Sequence, residues 1–521
     1  MFIKCIILGL MTFTITEIEG GKILAIFWTP SRSHQISGGV LLKNLARKGH
    51  EVHLLTSFVE DDVNDIPTYK QELLTGIKGF FSNQTNTDSF KINRFFEVLS
   101  AFDTMVNRFW QNEPVQKLIK TKPKYDAIII VTFFSDFVLS LSHLLGAPSI
   151  ILSTIGSNVM VDKYVANPNM PYASNVMIPY PQDTFLGRLI TIGSTAFISI
   201  FVKYVLNPLQ DRATRKYLPD APSLDVLNKN VSLVLASSHF SIESPKPYVP
   251  NMIQIGGFHI EEPKQLPDNL REYLDNASDG AILFSVGTMV KLSEHLKPEK
   301  LESIIRGLGR VAPLKVLFKS NLPIPNTPKN VMVVDWMPQS DVLAHPNIRL
   351  FISHGGLGGT TEAVYHGVPI LGIPFFADQH GNIASAVNSG YALKLNIKTF
   401  TEDEFVNAIT ELLTNPKYTI NVKKRSSILK THPVKPLDNA IWWIEHIIEH
   451  KGGEHLRNTG MDLEWYQLYM VDIMLFFLIL SSIFFLVSFF MTRFIVKKVW
   501  NICLGNIKKK LIEKISDGLF S

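Results

Sequence analysis

The chain has 521 residues, enough for two or three domains that each bury a core of their own. Hydrophobic residues make up 46% of it and charged residues 19%, which excludes a mainly disordered chain. The formal net charge of +5 is small for this length and the basic residues are scattered except at the C-terminus, so nucleic-acid binding is not expected.

The N-terminus has the features of a secretory signal. Lys4 is followed by an apolar run and then by small residues near Gly20, and the strand-like stretch KILAIFW follows at once. We interpret residues 1–20 as a signal peptide, with a buried first strand as the alternative. The two cysteines, Cys5 and Cys503, lie in this segment and in the C-terminal tail, so no cysteine nucleophile, metal ligand or disulfide is expected between them.

Apolar strands alternate with amphipathic helices from Lys22 onwards. KILAIFW, EVHLLTS, YDAIIIVTF and APSIILS are typical of buried strands, and GGVLLKNLARKGH of a helix that ends at Gly49. Continuous Ile, Val and Leu strands separated by helices predict a parallel sheet covered on both faces. The loop TPSRSHQ after the first strand places His34 at a cleft edge, where histidine suits the role of general base. A surface histidine is the alternative.

The segment from Thr184 to Leu206 is markedly apolar but is interrupted by Arg188 and Lys203. Its uncharged core is too short to cross a bilayer, so we expect a buried or membrane-facing helix. The sequence also contains three Asn-X-Ser/Thr triplets that permit N-glycosylation, at Asn83, Asn230 and Asn276.

Residues 263–280 are rich in Pro, Asp and Asn and are interpreted as a linker. They would separate an N-terminal domain, residues 21–262, from a C-terminal domain, residues 281–437. In the second domain the strand pattern resumes with AILFSVG, LKVLFKS, VMVVDW, LFISH and PILGIPF. The sequence therefore predicts two doubly wound α/β domains that face each other across a cleft.

The stretch FISHGGLGGTTEAVYHGVP combines a strand end, a glycine turn and a helix. His354 lies at the carboxyl end of the strand, and Gly367 ends the helix. Open α/β sheets bind ligands at this edge, where free backbone amides and the helix dipole favour phosphate. A purely structural turn is the alternative, because the string matches neither the G-x-G-x-x-G fingerprint nor the phosphate-binding loop with its lysine.

The residues around this turn complete a set that suits a nucleotide-sugar. Trp336 offers a flat stacking surface, and the amide of Gln339 can read a base edge. Glu362 can accept hydrogen bonds from vicinal hydroxyls such as those of a ribose. Asp378 and Gln379 end the next strand and have acceptor and donor groups for sugar hydroxyls.

The C-terminal part reads as a membrane anchor. Residues 438–472 are interpreted as a returning amphipathic helix and a juxtamembrane segment. Residues 473–491 carry no charge and are numerous enough to cross a bilayer as one helix. Residues 492–521 are basic, whereas acidic residues precede the span. The positive-inside tendency predicts a single-pass type I protein with a cytosolic tail and lumenal domains.

The stretch DWMPQSDVLAHPNIRLFISHGGLGGTTEAVYHGVPILGIPFFADQHGN resembles the signature of the UDP-glycosyltransferases, in their membrane-bound animal branch and closer to insect than to vertebrate members. The similarity continues in NVSLVLASSHFS, PNMIQIGGFHI, GAILFSVGT and PLDNAIWWIEHIIEHKGGEHLR, so it covers essentially the whole chain. It implies the GT-B fold, with the acceptor bound by the N-terminal domain and the UDP-sugar by the C-terminal one. It also implies a glycoprotein of the endoplasmic reticulum membrane.

The resemblance assigns a role to each residue of the set. Trp336 would stack on uracil, and Thr288 in FSVGT would lie near the phosphates. Gly358 and Gly359 depart from the family, because relatives usually carry a larger residue there. The resemblance implies no metal and no cofactor besides the UDP-sugar co-substrate. The complete set of UDP-sugar residues it implies is Thr288, Trp336, Gln339, His354, Gly356, Gly358, Gly359, Glu362, Asp378 and Gln379.

The resemblance also identifies His34 as the catalytic histidine. The family orients that histidine with an acidic residue at the end of a strand, but this chain has Val131 at the aligned position. Asp136 is the nearest substitute, and either it reaches His34 or the dyad is incomplete. The alternative for Asp136 is a helix cap.

We therefore expect inverting transfer of a hexose, glucose before glucuronic acid, to a hydroxyl of a small lipophilic acceptor, as in detoxification. A catalytically weak UDP-sugar-binding homologue is the alternative. A dinucleotide oxidoreductase lacks its glycine fingerprint, and a glycosidase lacks its pair of carboxylates. Self-association is left open. The N-terminal domain contains aromatic residues that could bind a lipophilic acceptor, namely Phe80, Phe81, Phe95, Phe96 and Phe109.

Overall fold

The computed structural model of the chain forms two compact units, Met1–Asn458 and Thr459–Ser521. The sequon at Asn83 and residues 1–19 of the expected signal peptide lie outside the part that it describes. The described residues are 20–77, 92–132, 134–173, 183–288, 292, 296–320, 324 and 326–519.

The first unit contains two β-sheets. The strands of the first sheet are β1 (Lys22–Phe27), β2 (Glu51–Thr56), β3 (Tyr69–Leu73), β4 (Ala127–Val131), β5 (Ser149–Ser153), β6 (Val231–Ala236) and β7 (Met252–Gln254). Those of the second are β8 (Ala281–Ser285), β9 (Lys315–Lys319), β10 (Val331–Val334), β11 (Ile348–Ser353), β12 (Ile370–Gly372) and β13 (Ala392–Lys394). All of these strands pair in parallel.

Helices connect the strands in both halves. In the first half they are α1 (Arg32–Arg47), α2 (Ile92–Gln111), α3 (Glu113–Thr121), α4 (Leu139–Leu145), α5 (Val159–Asp162), α6 (Phe185–Phe201), α7 (Asn207–Arg215) and α8 (Leu224–Leu227). In the second they are α9 (Asp268–Asp275), α10 (Pro298–Arg310), α11 (Gln339–Leu343), α12 (Leu357–His366), α13 (Gln379–Asn388), α14 (Glu402–Thr414), α15 (Pro416–Lys430) and α16 (Pro436–Glu449). Short non-α turns are Asp136–Val138, Val202–Leu206, Asn228–Asn230 and Glu454–Leu456.

Each sheet is buried on both faces, as the apolar strands predict. Successive side chains of a strand point to opposite faces. In β1, Ile23, Ala25 and Phe27 therefore pack into one core, and Leu24 and Ile26 pack into the core on the other side of the sheet. The second sheet is likewise covered by two separate cores. The predicted pair of doubly wound α/β halves is confirmed.

Strand order places a ligand crevice in each half. The first sheet has the order β3-β2-β1-β4-β5-β6-β7, and the second has β10-β9-β8-β11-β12-β13. In the first sheet the chain runs from β1 to one edge and from β4 to the other edge. In the second sheet β8 and β11 are the corresponding pair. The carboxyl ends of such a pair form the crevice in which doubly wound sheets bind ligands. His34 follows β1, and His354 follows β11, so both expected reactive edges lie at these switch points.

The segment between the halves is more structured than expected. Residues 263–280, interpreted as a linker, contain α9, and Leu270 and Leu274 of that helix are buried in a core of the second sheet. The linker interpretation is corrected for these residues, because a helix with an apolar face packs wherever it can bury that face. Near its end the first unit returns to the first half, where Ile444 and Ile447 of α16 are buried.

An apolar helix lies on the surface of the first half. Helices α6 and α7 run through a π-helical turn as one stretch, Phe185–Arg215, which is long and apolar enough to cross a membrane by length and composition. The uncharged core of this stretch spans roughly 20 Å, which is too short to cross a bilayer, as expected. Within α6 the buried residues are Gly187 and Thr191, whereas Phe185 is 75% exposed and Phe197 69%. The helix is therefore not buried.

The second unit consists of a short helix, α17 (Trp465–Leu468), and a long one, α18 (Val471–Leu519), after the short turn Thr459–Asp462. The expected span, residues 473–491, lies inside α18, and that helix is long and apolar enough to cross a membrane. The basic tail continues the same helix to Leu519.

Candidate active site

A glycine turn joins β11 to α12 at the carboxyl edge of the second sheet. Gly355 has a φ of +85°, a conformation that glycine adopts without strain. Gly356 is the N-cap of α12 and gives the helix no side-chain cap, so the first backbone N–H groups of the helix point into the crevice. Gly367 ends α12 in the left-handed conformation, as predicted. The turn has the chemistry of a phosphate site.

The imidazole of His354 packs between two glycines. A Cβ atom on Gly287 would lie 2.8 Å from His354 Cε1, and one on Gly356 would lie 2.7 Å from His354 Nε2. Burial, followed by the charge of Lys319, lowers the pKa of His354 to about 4. The ring is neutral at physiological pH and can donate one hydrogen bond. Its buried Nδ1 atom has no hydrogen-bond partner in the described part of the chain.

Lys319 is a site residue that the sequence analysis missed. It ends β9, next to β8, and its charge acts on both His354 and Glu362. Burial and the charge of Arg32 lower the pKa of its amine. A cation that is partly buried beside a phosphate cradle suits an anionic ligand. The signal was present in LKVLFKS, where a lysine stands at the carboxyl end of a predicted strand.

Two of the expected nucleoside residues bind each other directly. Gln339 Nε2 donates to Glu362 Oε2 at 2.6 Å. Burial raises the pKa of Glu362 to about 7, although this hydrogen bond opposes the shift. The raised pKa shows a carboxyl group held where water does not solvate its charge well. Trp336, the expected base platform, is 55% exposed and therefore available to stack on a planar ligand.

The expected sugar residues lie at the start of α13. Asp378 Oδ2 accepts from Asn382 Nδ2 at 2.8 Å, and burial raises the pKa of Asp378 to about 6. Gln379 Oε1 accepts from the backbone N–H groups of Phe375 and Phe376 at 2.8 and 3.1 Å. The carbonyl of Gln379 thus shapes the loop, and the amide nitrogen is the end suited to a sugar hydroxyl.

Of the three remaining expected residues, two glycines lie in the first turn of α12. Thr288 follows β8 and is exposed. A Cβ atom on Gly359 would lie 3.1 Å from Gln339 Nε2, so a larger residue there would press on the Gln339 amide. The nearest atom to a Cβ on Gly358 would be His259 Nε2, at 3.9 Å. The departure from the family pattern therefore leaves open space at residue 358.

His34 lies in the first turn of α1, at the edge of the first sheet's crevice. Its Nδ1 atom forms a hydrogen bond with the hydroxyl of Thr154. Burial lowers the pKa of His34 to about 4, which keeps the ring neutral and able to take a proton. Thr154 was missed by the sequence analysis, although it directly follows β5, at the same sheet edge.

Asp136 does not take the place of the expected carboxylate. One of its oxygens binds Lys163, and the other accepts from the Tyr164 hydroxyl at 2.6 Å. The N-cap of the turn Asp136–Val138 is Ser135 and not Asp136, so neither interpretation of Asp136 describes its place. The correction has a simple cause, since a buried carboxylate needs a counter-charge and Lys163 supplies it.

Other expected positions have mixed outcomes. Phe109 is fully buried in the core against Trp28, so it does not line an acceptor pocket. Phe80 and Phe81 lie outside the described residues, as do the side chains of Phe95 and Phe96. The sequon residues Asn230 and Asn276 are exposed.

Relatives and solved structures are similar to this chain over most of its length. UDP-glucosyltransferase 2 of Dactylopius coccus is 30% identical over 511 residues, which cover 96% of this chain and 98% of that protein. UDP-glucuronosyltransferase 2B15 of Rattus norvegicus is 28% identical over 527 residues, which cover 95% and 98%. The solved structure of the spinosyn forosaminyltransferase SpnP aligns with a TM-score of 0.56 and 15% identity over 82% of this chain and 99% of that one. The glycosyltransferase VinC, in complex with DTDP, aligns with a TM-score of 0.54 and 15% identity over 82% and 100%.

At such low identity the solved structures establish the fold, which is the GT-B fold of glycosyltransferases. The sequence model of the family described as UDP-glucoronosyl and UDP-glucosyl transferase matches residues 21–510, almost the whole chain. The chain therefore belongs to this family and is a UDP-glycosyltransferase.

Proposed function

We propose that the protein transfers glucose from UDP-glucose to a hydroxyl of a small lipophilic acceptor, with inversion at the anomeric carbon. The observation that carries this proposal is the neutral His34 ring at the crevice of the first half, with Nδ1 bound to the hydroxyl of Thr154. With the Nδ1 proton donated to Thr154, Nε2 is the basic nitrogen that can take the proton of an acceptor hydroxyl.

The reaction is a single displacement. The acceptor oxygen attacks the anomeric carbon, the bond to the UDP oxygen breaks on the opposite face, and the acceptor proton goes to His34 Nε2. The departing diphosphate gains negative charge, which the N-terminus of α12, the His354 N–H and the Lys319 amine stabilise. No metal is required in this scheme, so turnover should persist in EDTA.

The rest of the donor binds along the second half. Trp336 stacks on uracil, and Glu362 and Gln339 bind the nucleoside. Asp378 and Gln379 bind the sugar. Glucose is preferred here because the insect relative is a UDP-glucosyltransferase, and glucuronic acid is the alternative because the rat relative is a glucuronosyltransferase.

We further propose that the enzyme conjugates lipophilic metabolites in the endoplasmic reticulum, as a single-pass type I protein. The support is the apolar first part of α18, which is followed within the same helix by Arg493, Lys497 and Lys498, the charge pattern of a cytosolic flank. The catalytic unit would then lie in the lumen, where the exposed Asn230 and Asn276 can be glycosylated.

The test compares membranes that contain the full chain, the His34→Ala variant and the His143→Ala variant. His143 is an exposed residue of α4 and serves as the matched control. Each membrane receives UDP-glucose or UDP-glucuronic acid with 1-naphthol, and UDP release and the anomeric configuration of the product are measured. We expect acceptor-dependent release of UDP with a β-glucoside product, lost only in His34→Ala. UDP binding without turnover on a broad acceptor panel would instead favour a UDP-sugar-binding protein.

A further inference from the structure

A histidine from the first half reaches the nucleoside end of the donor site. His259 follows Phe258, which is buried in a core of the first sheet. The His259 side chain is only 6% exposed. Within the described part of the chain neither of its ring nitrogens meets the geometry of a hydrogen bond, although the Gly358 backbone lies close enough to raise the pKa of the ring. A buried polar group without a partner costs free energy, so one that persists in a binding crevice indicates a ligand that completes it.

The geometry identifies what this ligand group must be. His259 Nε2 lies 3.8 Å from Glu362 Oε1, which is too long for a direct hydrogen bond. The other carboxylate oxygen, Oε2, is already occupied by Gln339. The space next to His259 is kept open by Gly358, whose missing side chain would point towards Nε2. One hydroxyl oxygen at about 2.8 Å from both His259 Nε2 and Glu362 Oε1 can bridge the gap.

We propose that His259 binds the nucleotide directly: its ring N–H donates to the ribose hydroxyl whose own proton is accepted by Glu362. The assignment rests on the proposed function, because it requires the ribose of the UDP-sugar to lie at Glu362. A hydroxyl is both a donor and an acceptor, and this pair of side chains offers one partner for each role.

The environment keeps His259 in the right form. Burial lowers the pKa of His259 to about 4, and the neighbouring Gly358 backbone opposes this shift only in part. The ring is uncharged at neutral pH and has one N–H group to donate. Because His259 directly follows Phe258, a core residue of the first half, the site for the ribose is built from both halves of the enzyme.

The test uses the full-length protein in detergent and calorimetric binding of UDP, 2′-deoxy-UDP and 3′-deoxy-UDP. The variants are His259→Phe, which removes the donor, and His259→Gln, which restores an N–H group. His143→Phe is the matched control. We expect the wild type to bind one of the two deoxy analogues about tenfold more weakly than UDP, the cost of one lost hydroxyl that bridges two partners. His259→Phe should bind UDP roughly three- to tenfold more weakly but bind that analogue as the wild type does. His259→Gln should recover part of the discrimination.

If His259→Phe binds all three ligands more weakly by the same factor, His259 has a structural role and the proposal is overturned. The proposal is also overturned if His259→Phe discriminates between UDP and both analogues as the wild type does. If the Phe variant does not fold, His259→Gln is compared with His143→Gln. Discrimination between UDP and that analogue that is reduced but not abolished supports an N–H donor. Equal weakening of all three ligands, or discrimination equal to that of the control, overturns the proposal. Failure of the wild type to bind UDP at all would refute the proposed function itself, and would be visible without any variant.

Discussion

Glu362 makes donor binding dependent on pH in a predictable direction. Burial raises the pKa of Glu362 to about 7, and we propose that its carboxylate accepts from a ribose hydroxyl. Below pH 7 the free protein holds this group protonated, so binding through the carboxylate must release a proton. The dissociation constant for UDP-glucose should therefore be constant near pH 8 and increase as the pH falls through 7.

The size of the change follows from the kind of hydrogen bond. A charged acceptor contributes about 1 to 1.5 kcal/mol more than a neutral one, so affinity should fall about five- to tenfold between pH 8 and pH 5.5. His34 and His354, with pKa values of about 4, do not titrate in this range. Asp378, with a pKa of about 6, does, and has to be controlled.

The assay is calorimetric titration with UDP-glucose, whose two phosphates are both esterified and do not titrate near neutral pH. The wild type is compared with Glu362→Gln, and both are repeated with Asp378→Asn. With Asp378 replaced by Asn, Glu362→Gln should bind about five- to tenfold more weakly at pH 8 and show no dependence on pH. A pH dependence that survives when Glu362→Gln and Asp378→Asn are combined, or that disappears with Asp378→Asn alone, would refute the assignment.

The same shift has a consequence for stability. The folded pKa lies above the unfolded value of 4.5, so the stability that protonated Glu362 contributes is present below pH 4.5 and is lost as the pH rises through 7. At pH 8 the Glu362→Gln variant should therefore be the more stable protein, by up to roughly 3 kcal/mol. Thermal unfolding at pH 8 and pH 5 measures this, and a variant that melts lower at pH 8 would contradict it.

Three further variants test the remaining parts of the site. Thr154→Val should lower kcat about two- to tenfold with KM unchanged, because one neutral hydrogen bond to the base is lost; a larger effect on KM would argue against an orienting role. Asp136→Asn should leave donor affinity intact but lower the free energy of chemical unfolding by about 3 kcal/mol, because Lys163 loses its counter-charge. Normal stability with lost turnover would instead support a catalytic role for Asp136. Gly287→Ala should weaken UDP binding about tenfold, because its Cβ would displace the His354 ring and φ is +82° there; unchanged calorimetry would show that the ring is not needed.

Most of the fold can be read from the sequence because its signals are local. Runs such as AIIIV and LFIS are apolar on both faces, which is typical of central strands of a parallel sheet. The helix end at Gly367 was predictable for the same reason, since a glycine in the left-handed conformation is a local stop. The positions of His34 and His354 at the sheet edges follow directly from these assignments.

The contacts that the sequence does not reveal are tertiary. The partners of Asp136 stand 27 and 28 residues away, and no periodicity connects them to it. Thr154 and His34 are separated by 120 residues. His259 stands in GGFHI, where nothing local shows that the residue opposite it is Glu362. Residue types therefore predicted which functional groups the site contains, whereas the packing of distant segments determines which of these groups contact each other.

The exposed face of α6 bears on how the enzyme can be purified. A chain that ends at Asn458 would lose the whole of α18 but would keep Phe185, Leu189 and Phe197 facing outwards on one surface helix. Apolar area of that extent drives association with lipid, with detergent or with other copies of the protein. A chain without α18 is therefore expected to remain associated with membranes until detergent or alkaline washing releases it, and not to stay in the aqueous supernatant.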